Sequence, residues 1–260
     1  MTQAEQREVA AIASVCHLDM GSYQRPFRAP GVSVSAVALL GGYRPGEVTR
    51  AHNGVLFLDE FLEFRKDTLE ALRLVLEEGE VKVSRARLQV TYPALFTLVC
   101  AMNPCPCGML GVAGETCSCS VGQVSRYRSK LSGPLLDRLD LMVGLQRVPI
   151  SEVMERPAAL EGTVNVAERV RRARKVQERR GCLNSLLKTA KLYSALKWAG
   201  EDRKFAYTVA EQEKLSLRGF EKWLRVSRTL ADLEDLETVT RRHLLTARSI
   251  RWGSSERAAA

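Results

Sequence analysis

No lysine in this 260-residue chain follows a glycine. The loop G-x-x-x-x-G-K-[ST], whose backbone amides and lysine wrap a triphosphate, is therefore absent from the sequence. No apolar run reaches the length of a membrane span, which excludes a helical membrane protein and a membrane partner of that kind. The N-terminal stretch MTQAEQREVAAIASV lacks the charged-then-apolar layout of a secretory signal, so the cytoplasm is the expected compartment. Nor is there an internal repeat.

What is present is an ordinary globular composition, 45% apolar and 27% charged, with a net charge of +9 and a pI near 9.4. The basic balance favours a polyanionic partner: nucleic acid, phosphates or an acidic surface. Of seven cysteines, four are clustered, a usage that suits metal binding better than disulfides.

The central stretch is Val55-Leu56-Phe57-Leu58-Asp59-Glu60. Four apolar residues in a row predict a strand buried on both faces, as in a parallel sheet flanked by helices. Two carboxylates at its C-terminal end fall where open α/β sheets hold their ligands. In a nucleoside triphosphatase the first, Asp59, would hold Mg²⁺ and the second, Glu60, would polarise the attacking water. The alternative is a strand ending in a solvated acidic turn.

Around it, the pattern predicts a helix over 3–17, stopped by Gly21, and a basic, partly extended insertion over 25–50 carrying Arg25, Arg28, Arg44 and Arg50. A helix capped by Asp67, with Glu70 completing a capping box, buries Leu69, Leu72 and Leu76 and stops at Gly79. EVKVSRARLQVTY alternates over 80–92 and reads as a hairpin loaded with Lys82, Arg85 and Arg87. A second buried strand covers 95–101, and a third is expected over 139–145. Between them, CPCGMLGVAGETCSC carries two C-x-C pairs, Cys105/Cys107 and Cys117/Cys119. Four thiolates can complete a tetrahedral Zn²⁺ site, with buried or reactive free thiols as the alternative. From about Ser151 helices dominate, at 164–180, 184–198, 208–214, 217–233 and 238–251. Pro157 and the region of Gly162 mark the boundary. The expected division is an α/β part over 1–155, a helical part over 156–252 and a tail over 253–260.

Taken in order, RPFRAP, AHNGVLFLDEF, LEEGEVKVSRA, AMNPCPCG, SGPLLDRLDL and LSLRGFEKWLRVSRTLADL resemble the Mg-chelatase-like AAA+ ATPases of the YifB/ComM family. The resemblance runs over nearly the whole chain. It implies a partial AAA+ core of P-loop type, a parallel sheet with helices, followed by an all-helical lid. Walker B would fall on Val55 to Glu60, with Asp59 on Mg²⁺ and Glu60 activating water. Sensor 1 would fall on Asn103 and the arginine finger on Arg138, for which a pair with Asp137 or Asp140 is the alternative. Sensor 2 would fall on Arg218, with Arg225 and Arg228 as weaker candidates. ATP and Mg²⁺ would be the cofactors. The basic hairpin resembles the pre-sensor-1 hairpin that projects into a ring's pore, implying single-stranded or branched DNA as partner and a homo-hexameric ring that drives branch migration.

The chain departs from the family at Gly31-Val32, where two histidines are usual, and at Phe61-Leu62, where the family has Leu-Pro. The missing phosphate loop and the missing N-terminal domain, which resembles the Lon proteolytic domain and ribosomal protein S5, imply the C-terminal part of a longer protein, from a split or frameshifted gene, a late start or a deliberately short product. Two other readings remain open. One is a non-catalytic module that binds DNA or a protein partner; the other is a metal-inserting ATPase subunit of the chelatase type.

Overall fold

The computed structural model describes residues 1–18, 24–85, 88–112, 114–145, 148, 150, 154 and 161–252. Gly21, Arg87, Ser151 and Pro157 lie outside them. The chain divides into two compact units, Met1–Arg138 and Leu139–Ala260.

The first unit is built on a parallel sheet of order β1 (Phe27–Arg28), β2 (Val55–Leu58), β5 (Thr97–Cys100). Before it come α1 (Gln3–Val15), α2 (Ala36–Leu40) and α3 (Glu47–Arg50); α4 (Lys66–Glu78) follows β2. An antiparallel hairpin of β3 (Glu80–Arg85) and β4 (Leu88–Pro93) precedes β5. Two short helices, α5 (Val121–Arg128) and α6 (Gly133–Leu136), close the unit. Leu56 and Leu58 are fully buried and share a core with Leu39, Phe61, Phe64, Leu69 and Leu72. Each such side chain contributes about 1.5–3 kcal/mol.

Val55 and Phe57, on the other face of β2, are only half-buried, and Phe57 stacks on the exposed Phe27 at 6.2 Å. The expectation of burial on both faces is thus corrected: the second face stays partly exposed, with Phe57 against the Phe27 ring. Gly54 opens β2 because a Cβ there would sit 2.0 Å from the Pro26 carbonyl oxygen, whose acceptor the Val55 N–H requires. Arg65, not Asp67, is the N-cap of α4; the Asp67 carboxylate instead accepts from Thr68 N–H and the Arg65 guanidinium. The insertion over 25–50 is not an extended loop. It folds into β1, α2 and α3, and Arg28 and Arg50 both bond Glu47 while Arg25 donates to the Asn53 carbonyl.

In the second unit α7 (Thr163–Arg180), α8 (Thr189–Leu196), α9 (Gly200–Gln212), α10 (Leu217–Leu233) and α11 (Arg241–Trp252) surround α10's apolar stripe of Phe220, Trp223, Leu224 and Ala231. The expected helix over 184–198 splits into a short turn and α8, and the one over 208–214 starts earlier, at Gly200. No strand forms over 139–145. Leu141, Val143 and Leu145 are exposed, and Met142 N–H donates to Ile250 of α11 instead of to a sheet neighbour. None of the described helices is long and apolar enough to cross a membrane.

Arg228 of α10 is fully buried. Its guanidinium donates to Asp232 Oδ1 at 3.1 Å and to the carbonyls of Ala195, Leu236 and Glu237. Asp232 also accepts from Arg180 and Asn184, each at 2.7 Å. Truncating one partner of a buried pair strands the other charge. Asp232→Ala should therefore lose about 3–5 kcal/mol in urea unfolding followed by tryptophan fluorescence. Arg172→Ala, on the exposed face of α7, should stay within about 0.5 kcal/mol.

Candidate functional site at the edge of the parallel sheet

β2 and β5 run parallel with Leu58 opposite Cys100, so both strands deliver their following residues to one sheet edge. Two backbone bonds lock that edge: Ala101 N–H to the Leu58 carbonyl at 3.0 Å, and Phe61 N–H to the Ala101 carbonyl at 2.8 Å. Asp59 and Glu60 project from it, both exposed, and Asp59 Oδ1 accepts the Glu60 N–H at 2.9 Å. Glu60 adopts a left-handed backbone, φ 50° and ψ 45°, unusual for a residue with a Cβ. Such conformations cost of order 1–3 kcal/mol and persist where the surroundings impose them. Here the imposing groups are Phe61 and Leu62, buried in the next turn, and Lys130, whose Nζ donates to the Leu62 carbonyl at 2.7 Å. Lys130 carries no sequence motif.

Asn103 follows β5 and is exposed at the same edge. Directly beyond it, Cys105-Pro106-Cys107-Gly108 forms a tight turn closed by Gly108 N–H to the Cys105 carbonyl at 3.0 Å. Gly108 has φ 79°, and a Cβ there would lie 3.9 Å from the Asn103 amide. The sulfurs of Cys105, Cys107, Cys117 and Cys119 all lie within 4.8 Å of one another, an arrangement that can hold a metal ion. Backbone N–H groups of Met109 and Ser118, with the Cys105 thiol, hold Cys107 down to about 5. Against the pull of the Cys119 amide, burial and the neighbouring thiols push Cys117 up to about 12. A second thiolate beside the first is disfavoured unless a cation joins them. Cys100, on β5, is pushed up to about 12 by burial alone.

Arg138, just past α6, has a side chain only 9% exposed that pairs with Glu77 of α4 at 2.5 Å. Asp140 pairs with Lys222 at 2.8 Å. Arg218 lies exposed in the first turn of α10. The two weaker sensor candidates are engaged inside the helical unit, Arg228 as described and Arg225 on the Leu187 carbonyl and Glu221. In the hairpin, Lys82 is exposed but bridged to both Glu78 and Glu80, at 3.1 and 3.0 Å. Arg85 ends β3 opposite Leu88.

The profile of the family described as magnesium chelatase, subunit ChlI, matches residues 1–153, and that of its C-terminal region matches 160–251. The uncharacterized protein YifB of Escherichia coli K12 is 39% identical over 258 residues, covering 96% of this chain and 51% of that protein. Competence protein ComM of Haemophilus influenzae is 39% identical over 255 residues, covering 95% and 50%. The chain belongs to the Mg-chelatase-like YifB/ComM family. That is a family of AAA+-type ATPases, and its partial core and helical region are the two architectures seen here. The chain spans about half the length of the curated relatives it matches.

At the other end of β2, His52 and Asn53 hold the strand's start through contacts that the sequence reading did not assign. His52 is buried, its Nδ1 accepts Leu95 N–H at 3.1 Å, and its Nε2 meets Glu8 of α1 at 3.1 Å. Asn53 donates to the same carboxylate at 2.7 Å. Hydrogen bonds from Asn53 and then His52 hold Glu8 below the ordinary carboxylate value. The charged form is thus favoured by folding, and its contribution is complete above the ordinary value and lost as pH falls through the lowered one. Glu8→Gln should be less stable than the parent in urea at pH 6, and that difference should vanish toward pH 3.

Proposed function

We propose that the chain carries the Mg²⁺-binding and hydrolytic residues of an ATP-driven AAA+ motor that moves on DNA. The observation that supports this reading is the shared sheet edge: exposed Asp59 and Glu60 after β2, and exposed Asn103 after the adjacent parallel strand β5. Asp59 spends part of one oxygen on the Glu60 N–H, and a carboxylate has further lone pairs for a hard cation. The donor set therefore fits Mg²⁺, which when bound supplies charge neutralisation at the phosphates. Glu60 would orient the attacking water and accept its proton, and Asn103 would hold that water or the terminal phosphate by its amide. Arg138 would serve a neighbouring subunit in a ring, exchanging the Glu77 carboxylate for phosphate oxygens. Arg218 would contact the nucleotide from the helical unit.

These 260 residues contain no phosphate loop, so the triphosphate grip is assigned to residues outside this sequence. The thiol cluster stands apart from the phosphate chemistry, because four thiolates fill a tetrahedral ion's coordination and leave no position for water or substrate. A relative named a competence protein is in keeping with a DNA substrate. For the hairpin to take part, Lys82 would trade Glu78 and Glu80 for phosphates; Arg85 and Arg87 are the other two cations assigned to that contact.

A second reading, a binding module without turnover, draws on the net charge of +9 and on exposed Arg172, Arg174 and Lys175 of α7. Metal insertion of the chelatase type rests on the family description alone. Phosphate release by the 260-residue chain should not exceed that of its Glu60→Gln variant; clear turnover above that control would assign the phosphate grip wrongly. Anisotropy of labelled single-stranded DNA, titrated with salt, separates the first two readings. Nucleotide-independent binding whose salt slope falls by roughly 0.7 for each α7 cation removed supports the module.

A further inference from the structure

Three sulfur–sulfur distances in the cysteine loop are 3.4 Å (Cys105–Cys107), 3.7 Å (Cys105–Cys117) and 3.6 Å (Cys107–Cys117). A tetrahedral ion with metal–sulfur bonds of about 2.3 Å has edges of about 3.8 Å. A disulfide requires about 2.05 Å, and all four cysteines are free. Soft thiolate donors in this geometry select Zn²⁺ over hard cations. The turn that brings Cys105 and Cys107 together depends on Gly108 in a left-handed conformation, and Cys105 is fully buried at the base of the loop. The site is thus organised by the backbone as well as by the sulfurs.

Its position in the chain matters equally. Cys105 lies two residues beyond Asn103, where β5 has ended, and Cys119 directly precedes Ser120, the N-cap of α5. An ion held by all four would close the intervening loop on itself. Further bonds tie α5 and the residues just after it to the segments at the sheet edge: Arg128 Nε donates to the Pro104 carbonyl at 3.2 Å, and Lys130 Nζ donates to the Leu62 carbonyl. Tyr127, beside Arg128 in α5, is buried in the unit's core.

We propose that Cys105, Cys107, Cys117 and Cys119 hold one structural Zn²⁺ that pins the segment following β5, and with it Asn103, to the start of α5. The metal site stands on the sulfur geometry; only the functional value of placing Asn103 rests on the nucleotide reading. Zn²⁺ here turns over nothing. Its removal would release the Asn103 segment and the α5 cap together, leaving the helical unit intact.

The whole chain, purified without added metal, should contain about one Zn²⁺ by elemental analysis, and the double variant Cys117→Ser/Cys119→Ser should contain none. Hydrogen exchange should then quicken on the order of tenfold or more over 97–104 and 121–128 when the metal is withdrawn by a mercurial and captured by a chromogenic chelator. Exchange in α10 should be unchanged. Metal-free protein as purified, or metal that survives the double substitution, overturns the site. Metal bound as expected but exchange unchanged over 97–104 overturns the pinning. Should the double variant fail to fold, Co²⁺ loaded into the parent replaces it, and the absence of an intense thiolate charge-transfer band with tetrahedral visible bands overturns the site. None of these measurements involves nucleotide, so absent ATP turnover leaves their outcome unaffected.

Discussion

The alignment of β2 with β5 is the constraint on which the rest depends. Parallel strands cannot be joined by a tight turn, so the chain spends α4 and a whole hairpin between them. That detour makes both C-terminal ends emerge side by side, with Leu58 opposite Cys100. A slip of one residue would turn Leu56 and Leu58 out of the core and carry the carboxylates to the opposite face. Burial of two leucines and placement of two acids are one event.

Around this edge the chain uses local clamps rather than a closed pocket. The left-handed Glu60 is held by the buried turn that follows it and by Lys130. Asn103 lies against the glycine of the cysteine turn. At the far end, His52 and Asn53 meet Glu8 of α1, and Gly54 allows the Pro26 carbonyl to approach. Cationic groups behave differently from what their number suggests. Arg25, Arg28, Arg50, Lys82, Arg138 and Arg228 each bond an acid or a carbonyl of their own unit. A positive net charge therefore says little about which side chains are available to a polyanion; the solvent face of α7 offers more than the hairpin's Lys82 does.

Much of the fold was legible because its signals are local. The four-residue apolar run, the alternation over 80–92, the glycine after α4 and the helix over 217–233 each follow from short-range periodicity or backbone freedom. The misreadings share a cause. The apolar stretch 139–145 has strand composition, but strand formation requires a neighbour, and its Met142 N–H found α11 instead. Asp67 has a capping side chain, yet α4 begins one residue before it, because Arg65 takes the extended cap conformation. The insertion over 25–50 looked partly extended from its prolines and glycines, while its Arg28–Glu47 ion pair joins segments that spacing alone does not connect.

By itself, the sequence determined the place of two carboxylates at a strand end, the clustering of four thiols and the family, since each is a matter of residue type in consecutive order. Tertiary structure decided which charges face one another: Arg138 on Glu77, Arg228 on Asp232, His52 on Glu8. It also decided that three of the four thiols stand 3.4–3.7 Å apart, with the fourth inside 4.8 Å, in the loop whose Gly108 lies against Asn103. Those outcomes depend on which elements pack together, and an electrostatic partner dozens of residues away leaves no periodic trace in the chain that needs it.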